Sequence, residues 1–205
     1  MKKQILVIGL ITGVGLSTAH AADSGFYIGG SFGQSRISDF SGSDVDRELA
    51  SVGITSTTTT DDKDTGWKAF AGYRVMKYLA VEGAYTNFGD ASARVTVTAP
   101  AAGVANVELE NEAWSLSVLG ILPLNDKFSL FGRLGFNVWN VEATATGTGS
   151  ATGRYSYDED GTDVLYGLGA SYHFTPNLNL RAEWERYDFD GNDIDFVSVG
   201  LGWSF

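Results

Sequence analysis

The last ten residues, Phe196-Val197-Ser198-Val199-Gly200-Leu201-Gly202-Trp203-Ser204-Phe205, alternate without a break. Val197, Val199, Leu201, Trp203 and Phe205 share one parity; Phe196, Ser198, Gly200, Gly202 and Ser204 share the other. A strand turns successive side chains to opposite faces, so this stretch has one large apolar face and one small, mostly polar face. In a soluble sheet the second face would carry charge. Here it is mainly Gly and Ser, sized for a narrow lumen, while Trp203 and Phe205 place aromatics at a boundary. Apolar outside, polar inside and aromatic at the rim is the pattern of a strand that crosses a membrane in a closed barrel.

The pattern recurs upstream. Gly25 to Gly33 puts Phe26, Ile28, Gly30 and Phe32 on one face. Gly66 to Arg74 turns Trp67, Ala69, Ala71 and Tyr73 outward and Lys68, Phe70, Gly72 and Arg74 inward. The third strand turns Leu79, Val81, Gly83 and Tyr85 outward against Ala80, Glu82 and Ala84. A fourth lies within Val107 to Leu122, but Glu108, Glu110 and Glu112 share the parity of Trp114, Leu116 and Val118, which a bulge near Glu112 would reconcile. The fifth sends Leu130, Leu134, Phe136 and Val138 outward and Phe131, Arg133 and Asn137 inward. The sixth alternates Val164, Tyr166, Leu168, Ala170, Tyr172 and Phe174 with Leu165, Gly167, Gly169, Ser171 and His173. The seventh alternates Leu180, Ala182 and Trp184 with Arg181, Glu183 and Glu185, and Phe196 to Phe205 is the eighth.

Between strands, polar stretches near 37–65, 89–105 and 142–162 read as long surface loops, and the other connections are short except for a modest tip at Asp190-Gly191-Asn192-Asp193. The expected fold is all-β: an eight-stranded antiparallel up-and-down transmembrane barrel with short periplasmic turns, long outside loops and both termini periplasmic. A soluble ligand-binding barrel closes the same way but lines its cavity with apolar residues. The inward Lys68, Arg74, Glu82, Arg133, Arg181 and Glu183 exclude it.

The N-terminus fits export. Lys2 and Lys3, an apolar run from Ile5 to Leu16 and Ala19-His20-Ala21 form a signal peptide, giving residues 1–21 as a cleaved leader and 22–205 as the barrel domain. No later stretch is apolar for long enough to span a bilayer as a helix, so a membrane-embedded mature chain must be a barrel. The mean hydropathy of -0.04 agrees, because alternation dilutes it. There is no cysteine, hence no disulfide and no thiol chemistry. The net charge of -11 becomes -13 once Lys2 and Lys3 leave, with 12 basic against 25 acidic residues. That excludes a nucleic-acid partner.

Gly72-Tyr73-Arg74-Val75-Met76-Lys77-Tyr78-Leu79-Ala80-Val81-Glu82-Gly83-Ala84-Tyr85-Thr86-Asn87-Phe88-Gly89 resembles the OmpA-type outer-membrane barrel family. Gly25 to Gly33, Arg133-Leu134-Gly135 and Thr175-Pro176 before Leu180-Arg181-Ala182-Glu183 continue the resemblance along the mature chain. It implies that inward Glu82 pairs with inward Arg181 to block the lumen. The family's competing partners, a Lys on the fourth strand and a Glu on the sixth, would fall near Val118 and at Ser171, where neither charge stands. It also implies that Phe205, with Trp203 and Leu201, forms the signal read by the outer-membrane barrel assembly machinery. The periplasmic peptidoglycan-binding domain of longer members is not expected here, nor cell-wall tethering.

An eight-stranded barrel is just wide enough for its own side chains, so Glu82, Arg181, Lys68, Arg74, Arg133 and Glu183 are expected to form a structural ion-pair network in the lumen. His173, the only histidine after the leader, sits beside a short turn between Tyr172 and Phe174, and no catalytic role, cofactor or metal is expected. Asp188-Phe189-Asp190-Gly191-Asn192-Asp193-Ile194-Asp195 resembles the start of a calcium loop but has Val199 where the closing Glu belongs. The expected protein is a monomer in the outer membrane of a Gram-negative bacterium, surrounded by lipid and lipopolysaccharide. Its acidic loops would serve envelope integrity, adhesion or recognition of a host or surface ligand. The alternatives are a small pore or hydrophobic-solute channel and, behind it, a lipid-modifying enzyme.

Overall fold

The computed structural model describes residues 24–37, 42–61, 63–99, 101–149, 152–189 and 192–205; the expected leader lies outside them. Strands β1 (Gly25–Ile37), β3 (Lys63–Met76), β4 (Leu79–Ala99), β5 (Gly103–Pro123), β6 (Phe128–Gly149), β7 (Gly153–His173), β8 (Leu178–Phe189) and β9 (Asn192–Ser204) form an eight-stranded antiparallel barrel. Pairing of β1 with β9, from Tyr27↔Ser204 to Ile37↔Ile194, closes it. The staves hold the expected parity. Phe26, Ile28, Phe32, Leu116, Leu134, Leu168, Val199 and Leu201 are exposed on the outer face, and Lys68, Glu82, Arg133, Arg181 and Glu183 are buried within.

Local chemistry sets the short turns. Asn125 accepts the N–H groups of Lys127 and Phe128 through its Oδ1, both at 2.9 Å, and starts β6. Thr175 Oγ1 accepts the Leu178 N–H at 3.0 Å and starts β8. Both are side chains standing in for a backbone turn. Aromatic pairs ring the outside at two heights: Phe26 on Tyr73 and Tyr172 on Phe174 near the short turns, and Trp67 and Trp114 each against Tyr85 near the other end. Such rings belong at the two membrane–water interfaces.

The long connections differ from expectation. The 37–65 segment contains helix α1 (Gly42–Ser51) and strand β2 (Thr55–Asp61), which pairs with the far part of β4 from Thr55↔Ala99 to Asp61↔Ser92. Helix α1 ends in a Schellman motif: Gly53 takes φ 82°, its N–H reaches Ala50 O at 3.1 Å, and Ile54 N–H reaches Leu49 O at 3.0 Å. Much of the 89–105 and 142–162 segments is strand as well, because β4–β5 and β6–β7 continue as ladders past the aromatic ring. Their Thr and Val residues favour extended backbone even without a membrane face.

The bulge expected near Glu112 is not on β5. The β5–β6 register runs unshifted from Gly103↔Gly149 to Pro123↔Ser129. The irregularity lies on β4, between Asn87 and Asp90, where Gly89 has φ 79°. Glu108 and Glu110 share the outward parity of Trp114 because the same face leaves the membrane and enters water. Glu112, at the crossing, accepts the Tyr85 hydroxyl at 2.5 Å.

Candidate functional site

Six charged side chains from four staves meet in the middle of the lumen. Lys68 on β3 reaches Glu183 Oε2 at 2.8 Å and Glu185 Oε2 at 2.5 Å on β8. Arg133 on β6 contacts Glu82, Glu185 and Glu183. Arg181 on β8 reaches across to Glu82 Oε2 on β4 at 2.7 Å, and its Nε lies 2.8 Å from Glu183 Oε1. Three cations face three carboxylates, so the buried charge sums to zero. All six side chains are at most 7% exposed. Buried charge is tolerated when each ion is paired, as here, although Arg133 Nε, Arg181 Nε and Nη2 and Glu183 Oε1 lack an aligned hydrogen bond.

Aromatic groups hold the cluster in place. The Arg181 guanidinium lies between the Phe70 and Phe131 rings, 4.3 and 4.8 Å from their centroids. Tyr27 donates its hydroxyl to Glu82 Oε2 at 2.9 Å, and Tyr187 to Glu185 Oε1 at 3.3 Å. Glycines make the room: a Cβ at Gly72 would strike the Tyr27 ring, and one at Gly169 the Phe131 ring.

Apolar layers cover both ends of the cluster. Toward the long hairpins lie Phe88, Ala113, Trp139, Leu165, Tyr187, Ile194 and Phe196, all buried. Toward the short turns lie Ala80, Leu119 and Phe131, with Tyr27 and Ile121 against them. Trp139 is fixed by its Nε1–H, which donates to Asp163 Oδ2 at 2.7 Å.

Of the residues named from sequence, Lys68, Glu82, Arg133, Arg181 and Glu183 stand together in this cluster. Arg74 lies on a rung nearer the short turns, paired with Gly25 and Ala80. Glu185, inward by parity next to Glu183, joins the cluster although it was not among the expected members; Tyr27 and Tyr187 also join it. Their inward parity was the available signal. Near Val118 the inward positions are Ser117 and Leu119, and Ser171 is buried opposite Arg181. The second cation on Glu82 therefore comes from β6, as Arg133. Leu201, Trp203 and Phe205 are exposed on the outer face, and the Phe205 N–H bonds Phe26 O at 3.0 Å. His173 is tied by its backbone N–H to Lys127 O at 2.8 Å. In the segment that resembles a calcium loop, Arg186 holds Asp195 at 2.7 Å and Asp193 at 3.3 Å, so those carboxylates already have a cation. Asp190 and Gly191 lie outside the described residues.

Outer membrane protein A of Yersinia pseudotuberculosis is 28% identical over 216 residues, covering 100% of this chain and 56% of its own length. Outer membrane protein A of Serratia marcescens is 29% identical over 204 residues, covering 98% of this chain and 52% of its own length. The chain thus spans about half the length of these curated relatives. Among solved structures, Ail of Yersinia pestis superposes with a TM-score of 0.57 at 16% identity, over 90% of this chain and 100% of that one. OprG of Pseudomonas aeruginosa gives 0.54 at 16% identity, over 91% and 97%. The family model of the outer membrane protein beta-barrel domain matches residues 6–205, and the chain belongs to that outer-membrane family.

Proposed function

We propose that this barrel is a non-conducting membrane anchor that presents acidic β-hairpins at the cell surface, with a structural and recognition role rather than a transport role. One observation carries the reading: a charge-balanced cluster fills the lumen between two apolar layers. An ion entering from either end would have to displace packed rings and then break pairs in a low-dielectric interior. Glu82 is gripped by Arg133 and Arg181 together, so exchange of one partner does not free it. In this reading the short turns face the periplasm and the long hairpins the outside, the asymmetry usual for such barrels.

Ail has been crystallised with the heparin analogue sucrose octasulfate. The hairpins of this chain, with Glu108, Glu110, Glu142, Asp158, Glu159 and Asp160, favour a cationic partner instead. The test is conductance of the refolded chain in planar bilayers beside Glu82→Ala. A silent wild type and a leaky variant are expected. Steady wild-type current would overturn the proposal and make the lumen a pore.

A further inference from the structure

The two ends of the barrel carry opposite charge. Outside the lumen cluster, nearly every carboxylate sits on the long hairpins or beside them. Among the described residues, Asp126 is the one carboxylate side chain on the short turns. Arg74, Lys77, Lys127 and His173 share that end. In a chain of net charge -11, the short-turn end is thus locally positive. Lys77 lies over the Tyr78 ring, 5.8 Å from its centroid. Tyr78 O in turn accepts the Ile121 N–H at 2.9 Å, which ties this turn to the hairpin that carries Lys127.

The lumen opens between these turns. Below the lower apolar layer one wall is small and polar: Ser129, Ser171 and Asn179, on neighbouring strands β6, β7 and β8, are buried. Ser129 stands opposite Ser171, and His173 opposite Asn179. Arg74 comes from the other wall. β3 and β7 face each other across the barrel, with three staves between them on either side. The Arg74 charge nonetheless acts on the His173 ring, so the guanidinium extends into the mouth. Both residues are half-buried. Among the described residues no carboxylate has inward parity below the apolar layer. The lumen carboxylates above it are already held by Lys68, Arg133 and Arg181.

We propose that the short-turn mouth is an anion site for a phosphate group, held by Arg74 with His173 and the Ser129 and Ser171 hydroxyls. A guanidinium presents five N–H donors in a planar fork that matches two phosphate oxygens. An imidazole N–H and the hydroxyls donate to the others. Hydrogen bonds between ions are shorter and stronger than neutral ones, so the fork carries most of the affinity. Lys77 and Lys127, exposed on the turns, raise the local anion concentration without touching the ligand. Two sources present this chemistry: the headgroup of a phospholipid in the adjoining leaflet, and a phosphate ion or ester in solution. The lower apolar layer separates the site from the plug, so a phosphate bound there leaves the ion pairs undisturbed.

Binding is measured on the full chain refolded in a maltoside detergent, which contains no phosphate, by following backbone amide resonances at constant pH. The probes are inorganic phosphate and, separately, dihexanoyl phosphatidylglycerol; sodium chloride at matched ionic strength is the control. Saturable shifts at Arg74, Ser171 and His173 are expected with at least one probe and not with chloride. Arg74→Gln weakens binding at least about tenfold, through lost hydrogen bonds to a charged group, and His173→Asn at least about threefold. Arg94→Gln, on the part of β4 beyond the other end, leaves binding unchanged. Heat-shifted electrophoretic mobility shows that each variant has formed the barrel; if Arg74→Gln has not, His173→Asn decides. A response to phosphate names the soluble source, and one to the lipid alone names the headgroup. Shifts matched by chloride, no saturable shift with either probe, or wild-type affinity in a folded Arg74→Gln or His173→Asn overturns the proposal. Conductance reads none of these, so the mouth and the plugged lumen fail separately.

Discussion

Arg181 on β8 and Glu82 on β4 meet across the lumen at 2.7 Å, although three staves lie between them on either side of the wall. Neither faces water, and each has a second partner, Glu183 for the arginine and Arg133 for the glutamate. Removing one charge therefore strands its partners in the interior. Glu82→Ala is expected to cost roughly 3–5 kcal/mol, since a buried ion without its partner is penalised far more than a lost surface pair. Urea unfolding of the folded barrel, followed by its heat-sensitive electrophoretic mobility, reads this directly. A variant as stable as wild type would mean that the cluster is hydrated.

The pair also predicts non-additivity. Combining Glu82→Ala with Arg181→Ala removes one charge of each sign and restores neutrality among the remaining four. The double variant should be less destabilised than the sum of the singles, with a coupling of about 0.5–3 kcal/mol. Additive losses would indicate that the two residues act separately.

How much of this could be read from the chain follows from which forces leave a periodic trace. Membrane and lumen impose opposite chemistry on alternate residues, so the parity of Trp67 to Arg74 or Phe196 to Phe205 is visible without coordinates. Partners across the lumen leave no such trace. Parity marked Glu185 as inward, but only the barrel's curvature brings it to Lys68 and Arg133. Thr55 to Asp61 falls within the 37–65 stretch expected as a surface loop because it lacks an apolar face, although its β-branched residues suit a strand. Glu108, Glu110 and Glu112 look like a break in phase only if the strand ends with the membrane. It continues into water with its parity intact.

The upper apolar layer depends on Trp139, whose ring lies over Gly161 and whose indole N–H holds Asp163. Trp139→Ala should cost roughly 3–5 kcal/mol through the lost packing. Trp139→Phe should recover most of this, having the ring without the N–H. Equal loss in both would assign the effect to the hydrogen bond instead.

Gly89 closes the sequence pattern that begins at Gly72, and it is where β4 shifts register. Its φ of 79° disfavours any side chain, and a Cβ there would press into Asp64, which accepts the N–H groups of Asp90 and Thr65 at 2.6 Å. Gly89→Ala should cost about 1–3 kcal/mol and shift both amide resonances. Gly83→Ala is the control, since its added carbon would meet nothing nearer than 3.8 Å.

Asp46 ties α1 to β2, and its pH response can be given a sign. The hydroxyls of Ser56 and Thr58 and the Thr58 N–H all donate to its carboxylate, at 2.7, 2.7 and 3.0 Å, and hold its pKa below the ordinary aspartate value. A group with a lowered folded pKa stabilises the contact at pH above its unfolded value and loses that contribution as pH falls through the folded one. The α1–β2 contact should thus be intact at neutral pH and stay so down to about pH 4, where a free aspartate is already about half protonated, loosening only in more acid solution. The Thr58 amide resonance reports it: constant from neutral pH to that point, then moving. In Asp46→Asn the same resonance should not titrate. A wild-type midpoint at the ordinary aspartate value would show that the three hydrogen bonds do not persist in solution, leaving α1 free to swing off the β2 edge.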